Sequence, residues 1–157
     1  MTDACSREET IQSFVEAMGR DFEKESMPRI AGRVFGLLLL ETGPHGLQQL
    51  AERLRVSRAS VSTNTRLLEE RGMIERVTLP GDRRDYYRIG EAPGLSMLDK
   101  ASERIRVTHQ LLSSMRYRLA DCAPEARSRL RSMERVYEAF LSAIDHAFDE
   151  LSDTGPA

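Results

Sequence analysis

The feature that most constrains the fold is a change of hydrophobic period at Gly72. Before this glycine, apolar residues recur every three or four positions, which predicts helices. After it, the β-branched and apolar run at 73–79 predicts a strand, and residues 85–89 predict a second one. Pro80 and Gly81 between them fit a type II turn. We therefore expect a mainly α-helical domain that ends in a small β-hairpin.

Two short helices are predicted directly ahead of the hairpin. The first covers residues 47–54, whose leucines share one face. The second begins after Ser57, a favourable N-cap residue, and ends before Gly72. Together with a helix predicted upstream at residues 30–41, they make three short helices followed by a two-stranded hairpin, which is the order of a winged helix–turn–helix.

The residues upstream predict two more helices and a turn. Helical spacing covers residues 7–25, and residues 30–41 are apolar nearly all round, which indicates a helix at the centre of the domain. Gly32 and Gly36 lie four residues apart in that helix, so a neighbouring helix can approach closely. Residues 42–46 contain two glycines and a proline, which predicts a turn.

Downstream of the hairpin the sequence predicts two long helices, separated by Pro124. The first has an apolar seam at two heptad positions, formed by Leu98, Ile105, Leu112 and Leu119 and by Ala101, Thr108, Met115 and Cys122. Such a seam predicts pairing of helices. We expect residues 1–26 to form an N-terminal helix that contributes to dimerisation, residues 27–92 a winged helix–turn–helix domain, and residues 93–157 a C-terminal helical dimerisation arm.

Charge is distributed unevenly along the chain. The formal net charge is −2, yet the segment from Arg53 to Arg88 contains nine arginines and five acidic residues, a net charge of +4. The rest of the chain carries −6. A basic segment inside an acidic protein indicates a surface for a polyanion, and arginine donors suit phosphates and guanine edges.

Other classes of function lack a sequence signal. There is no glycine-rich phosphate loop, no nucleophile elbow and no metal-ligand spacing among the three scattered histidines, so we expect neither an enzyme nor a cofactor. The longest apolar run, 34–40, is too short to span a bilayer, and the polar start shows no secretory signal. A cytoplasmic location follows as the expectation. Cys5 leaves a redox role open, because Arg7 favours a thiolate there while Glu8 and Glu9 oppose it.

The expected DNA contacts follow from the geometry of a winged helix. A helix fits the major groove and reads base edges near its start, while a cationic loop beside it reaches the backbone or the minor groove. The candidates in the reading helix are Ser57, Arg58, Ser60, Ser62, Thr63, Asn64 and Arg66, and those at the wing tip are Arg83 and Arg84.

Two of these candidates have an alternative role. Asn64 lies at the edge of the inward face, so it can contact adenine or form a hydrogen bond inside the domain. Arg66 can contact DNA or pair with Glu69 or Glu70 along its own helix.

The segment LQQLAERLRVSRASVSTNTRLLEERGMIERVTLPGDRRDYYRI, residues 47–89, resembles the DNA-binding domain of the MarR superfamily. With MPRIAGRVFGLLLL ahead of it, residues 27–40, it is most similar to the GbsR-like branch. The resemblance implies a cytoplasmic homodimeric transcription regulator, usually a repressor, that a small molecule releases from double-stranded DNA. It also implies that Asp82 braces the wing while Arg84 enters the minor groove.

Two readings of function remain at this stage. The first is a homodimer on a near-palindromic operator, with half-sites about 10 bp apart or a multiple of that. The alternative is a winged-helix protein–protein interaction module without DNA-binding activity, which the net acidity favours slightly.

Overall fold

A computed structural model of the chain describes residues 2–119 and 123–153, and the side chains of residues 7–119 and 123–152. The chain divides into two compact units, Met1–Pro93 and Gly94–Ala157. The elements of the first unit are α1 (Thr2–Lys24), α2 (Arg29–Leu40), β1 (His45–Gly46), α3 (Leu47–Leu54), α4 (Arg58–Glu70), β2 (Glu75–Thr78) and β3 (Asp85–Arg88). They are followed by α5 (Pro93–Arg118) and α6 (Pro124–Asp153).

Helix α2 lies at the centre of the first unit, as its apolar sequence predicts. Its residues Val34, Leu37 and Leu38 are buried in one hydrophobic core. The same core contains residues from every other helix of the unit, among them Val15, Phe22, Leu50, Leu54, Val61 and Leu68. Burial of this apolar surface holds α3 and α4 in fixed positions on α2.

Helix α1 packs closely along α2 because glycines replace larger side chains at the contact. A β-carbon at Gly32 would lie only 2.8 Å from Cγ of Phe22, and one at Gly36 would lie 3.0 Å from Cβ of Met18. The predicted close approach is therefore confirmed. The helix begins at Thr2, five residues earlier than its hydrophobic spacing indicates.

The β-sheet has three strands rather than the two that the sequence predicts. The order is β1-β3-β2, and both pairs are antiparallel. His45 and Gly46, which we expected in a turn, pair with Tyr87 and Tyr86. The third strand satisfies backbone groups at the second edge of β3. Its two residues are too few to carry a period, so local pattern could not reveal it.

The second unit consists of two antiparallel helices. Ser113 and Arg116 of α5 contact Glu134 of α6. One turn earlier in α5, Nε2 of His109 lies 3.4 Å from Oε1 of Glu138 in α6. Most predicted seam residues that the structure describes are partly covered, but Met115 is 40% exposed. Cys122 lies outside the described residues, and so does the side chain of Cys5. In the described part of the chain, no helix is both long enough and apolar enough to cross a membrane.

Candidate nucleic-acid interface

Helix α4 is fixed at both ends by caps that the sequence predicts. The Ser57 hydroxyl accepts a hydrogen bond of 3.1 Å from the backbone N–H of Ser60, which satisfies one free donor of the first turn. At the other end Gly72 has φ of +70°, and the N–H of Met73 donates to the carbonyl of Leu68. The predicted N-cap and glycine stop are both confirmed, so the direction of α4 is well defined.

One face of α4 packs on the core and the opposite face meets solvent. Val61, Thr65 and Leu68 are fully buried on the inner face. On the outer side, Arg58, Thr63 and Arg66 are exposed, while Ser60 and Ser62 are partly exposed. The structure therefore leaves most of the candidate reading residues accessible near the start of the helix.

Asn64 is the exception among the candidates. Asn64 is only 7% exposed, and its side-chain amide donates a hydrogen bond of 2.8 Å to the carbonyl of Ser60. Of the two roles left open by the sequence, this geometry favours the hydrogen bond inside the domain. Thr63 also bonds within the helix, from its hydroxyl to the carbonyl of Ala59, yet it remains exposed.

The wing tip is a tight turn that presents two arginines. The N–H of Asp82 donates to the carbonyl of Leu79 at 3.0 Å, and Gly81 has φ of +79°, as the third position of a type II turn requires. The predicted turn is confirmed. Arg83 and Arg84 follow directly and both are exposed.

Asp82 binds the residues of the wing to one another. Its carboxylate accepts hydrogen bonds from the backbone N–H and the guanidinium of Arg84 and from the hydroxyl of Tyr86. These donors, those of Arg84 first, hold the pKa of Asp82 well below its ordinary value. The guanidinium carbon of Arg84 also lies 5.7 Å from the centre of the Tyr86 ring, a cation–π distance.

The arginines of the basic segment fall into two groups. Four of them pair with carboxylates, and these are Arg53, Arg76, Arg84 and Arg88. The other five form no ion pair with any residue that the structure describes, and these are Arg55, Arg58, Arg66, Arg71 and Arg83. Arg66 therefore does not pair with Glu69, which instead faces Arg76 at 3.4 Å. Three of the unpaired guanidinium groups belong to the reading helix and the wing tip.

A groove separates the start of α3 from the wing. Its volume is about 440 Å³, and its lining includes Gln48, Arg58, Arg83 and Arg84. Cationic groups from α4 and from the wing thus line one concave surface. A polyanionic backbone is the kind of ligand that such a surface attracts.

Sequence analysis missed two residues of this surface. Gln48 is exposed on α3 and lines the groove. No role was predicted for Tyr86, although Asp82, Arg84 and Tyr86 recur at every second position, the spacing that places side chains on one side of a strand. That alternation was the available signal.

Comparison with known proteins agrees with this geometry. Residues 37–86 match the sequence pattern of the MarR family. The chain is 35% identical to the HTH-type transcriptional regulator MmpR5 of Mycobacterium tuberculosis (strain ATCC 25618 / H37Rv) over 154 residues, which is 96% of this chain and 92% of that protein. The chain belongs to the MarR family. Residues 45–88 thus contain the winged helix–turn–helix of a MarR-family, DNA-binding transcriptional regulator.

Two further similarities are also to transcriptional regulators. The chain is 27% identical to the putative HTH-type transcriptional regulator YvaV of Bacillus subtilis (strain 168) over 82 residues, covering 52% of this chain and 46% of that protein. A crystal structure described as a transcriptional regulator is 31% identical, with a TM-score of 0.84 over 92% of this chain and 99% of that one. The relatives and the MarR family are transcriptional regulators, which are not enzymes.

Proposed function

We propose that this MarR-family protein is a cytoplasmic homodimeric repressor of a near-palindromic operator, released from DNA by a small molecule. Residues 27–92 bind the operator, while residues 1–26 and 93–157 supply the dimer contacts. The resemblance of residues 27–40 and 47–89 favours the GbsR-like branch of the superfamily.

The observation that carries the proposal is the pattern of unpaired guanidinium groups. Arg58, Arg66 and Arg83 are exposed and form no ion pair within the described residues, whereas Arg76 and Arg88 nearby are neutralised by carboxylates. An unpaired arginine that binds a phosphate releases a counterion without first breaking an ion pair. Three unpaired guanidinium groups therefore lie where a winged helix meets DNA.

The side chains then take distinct roles. Arg58 and Arg66 contact phosphates or a guanine, and Ser60, Ser62 and Thr63 contact bases or phosphates from the same face. Ser57 serves chiefly as the cap that sets the start of the reading helix.

The wing provides the second set of contacts. Arg83 and Arg84 reach the minor groove or its flanking phosphates, and Asp82 braces the turn that presents them. Asn64 supports the helix from inside through its bond to Ser60.

The proposed dimer rests on apolar side chains that the second unit leaves uncovered. Val107 and Leu111 of α5 are each 67% exposed, and Phe140 of α6 is 54% exposed. Met97, Met115, Met133, Val136, Phe148 and Leu151 are also exposed. Large exposed apolar surface of this kind marks an interaction site, and a second copy of the same helices is a partner of matching chemistry.

Footprinting on DNA from upstream of the gene that encodes this chain tests the proposal. A homodimer should protect two related half-sites whose centres are about 10 bp apart or a multiple of that. Protection of one asymmetric half-site, or of no sequence, contradicts it. A reporter placed behind the protected site should become more active when the gene for the chain is deleted, because a repressor has been removed.

A further inference from the structure

Tyr86 occupies an unusual position between the core and the wing. It lies in β3, pairs with Val77 on one side and Gly46 on the other, and is only 9% exposed as a residue. Its hydroxyl nevertheless reaches the wing tip, where it meets both Asp82 and Arg84. Buried tyrosines commonly combine an apolar ring with a bonded hydroxyl, but here the two bonds join the charged residues of the wing.

Asp82 and Tyr86 accept hydrogen bonds from one side of the Arg84 guanidinium. Nε donates to Asp82 at 2.9 Å, and Nη2 donates both to Asp82 and, at 3.0 Å, to the hydroxyl of Tyr86. The same hydroxyl donates to Asp82 at 2.8 Å, which closes a ring of three side chains. All N–H groups of Nε and Nη2 are thus engaged, and within the described residues Nη1 donates no hydrogen bond.

We propose that Tyr86 is a positioning residue for DNA binding, whose hydroxyl orients Arg84 so that the Nη1 amine faces the duplex. The inference rests on the proposed role of the wing in contacting DNA. The Arg84 side chain is 77% exposed, so without this ring its guanidinium would sample many rotamers. Preorganisation removes part of that entropy cost from the binding step.

The electrostatics keep the hydroxyl available as a donor. The bond to Asp82 and partial desolvation raise the pKa of Tyr86, so the phenol remains protonated at neutral pH. Asp82 neutralises much of the charge on Arg84. Arg84 therefore contributes to DNA binding through the fixed orientation of its guanidinium more than through its net charge. Arg83, which forms no ion pair with the residues that the structure describes, supplies the free charge at the wing tip.

Tyr87 provides a matched control on the same strand. It is 3% exposed, packs in the hydrophobic core, and forms no side-chain hydrogen bond with the described residues. Removal of its hydroxyl therefore changes the polarity of a buried tyrosine without altering the wing.

The test is a double-mutant cycle measured by fluorescence anisotropy with a labelled duplex that the full chain selects from a randomised library. We expect Tyr86→Phe to weaken binding about three- to tenfold, the size of one ordinary hydrogen bond, with an unchanged melting temperature. Tyr87→Phe should bind like the wild type. In an Arg84→Ala background, Tyr86→Phe should cause no further loss, because its effect passes through Arg84.

The possible results separate the inference from the proposed function. If Arg84→Ala weakens binding but Tyr86→Phe does not, or if Tyr86→Phe causes the same loss in both backgrounds, the positioning role is overturned while DNA binding by the wing stands. If Arg84→Ala binds like the wild type, both the Arg84 contact with DNA and the positioning role of Tyr86 are wrong. A wild-type chain that selects no duplex overturns the proposed function itself.

Discussion

Arg33 reaches from α2 to the end of α3, where its Nη2 donates a hydrogen bond of 2.8 Å to the backbone carbonyl of Leu54. The carbonyls of the last helical turn have no partner inside their helix, so this bond satisfies one of them. Glu16 of α1 lies 2.8 Å from Nε of the same arginine. Arg33 thus links α1 and α2 to the turn that precedes the reading helix.

This relationship predicts different costs for two neighbouring arginines. Arg33→Met should lower the free energy of unfolding by about 1.5–3 kcal/mol, because a carbonyl in a partly buried setting loses a charged donor. Arg29 also pairs with Glu16, but its side chain is 46% exposed and forms no other ion pair among the described residues. Arg29→Met should therefore cost less than about 1 kcal/mol. Urea unfolding of both variants measures the difference, and equal losses would contradict this assignment.

Arg55, directly after Leu54, has a left-handed backbone with φ of +55°. A residue with a β-carbon is strained there by about 1–2 kcal/mol, and glycine is not. We expect Arg55→Gly to raise the melting temperature, with a gain reduced by the greater freedom of glycine in the unfolded chain. Arg71 is the matched control, because φ of −90° imposes no such strain. Arg71→Gly should lower the melting temperature, and a drop in both variants would show that strain at Arg55 is negligible.

Much of the DNA-binding unit was predictable because its signals are local. Ser57 and Gly72 mark the ends of α4, and the change of period after Gly72 marks the wing. Strand β1 was not predictable, since two residues show no alternation and their partner strand lies some forty positions away.

The pairing of the arginines was also outside the reach of sequence. Arg53 belongs to the basic segment, yet its guanidinium is bound by Glu8 of α1, 45 residues earlier, and by Glu41. Only the packing of α1 against the rest of the unit brings these charges together. Sequence therefore located the basic surface but could not show which of its cations are free.

The salt dependence of DNA binding should distinguish free from paired arginines. Arg83→Ala removes an unpaired guanidinium, so the slope of log K against log salt should become shallower by about 1. Arg76 is similarly exposed but pairs with Glu69 and Asp85. Arg76→Ala should leave the slope nearly unchanged. Titrations of a labelled duplex at several salt concentrations give both slopes, and an Arg83→Ala slope equal to that of the wild type would exclude Arg83 from the interface.

Acid should weaken the contact between α5 and α6 through Glu134. The hydroxyl of Ser113, and then the guanidinium of Arg116, hold the pKa of Glu134 below its ordinary value of 4.5. The stabilisation that such a group contributes is fully present above its pKa in the unfolded protein. It is lost as the pH falls through its lower pKa in the folded protein. At neutral pH, Glu134→Gln should therefore cost about 1–3 kcal/mol.

Thermal or urea unfolding across a pH series checks this prediction. The difference between the wild type and Glu134→Gln should be constant near neutrality and should shrink as the pH falls below 4.5. Glu138 is the control, because its side chain is 61% exposed beside His109. Glu138→Gln should have little effect on stability at neutral pH. A Glu134 difference that grows in acid would have the wrong sign for this contact.

A charge on the exposed apolar surface of α5 should separate the proposed dimer. Leu111→Asp would place an unpaired carboxylate where a second copy packs, and burying such a charge costs several kcal/mol unless it is paired. We expect the dimer to dissociate at concentrations where the wild type remains dimeric, and operator affinity to fall because a monomer contacts one half-site only. Gln110 is the control, since it is exposed one position away on the polar side of the helix. Gln110→Asp should leave both properties unchanged in sedimentation and anisotropy measurements. If Leu111→Asp remains a dimer with full affinity, this face of α5 is not the interface, and the two reading helices must be held together by another surface.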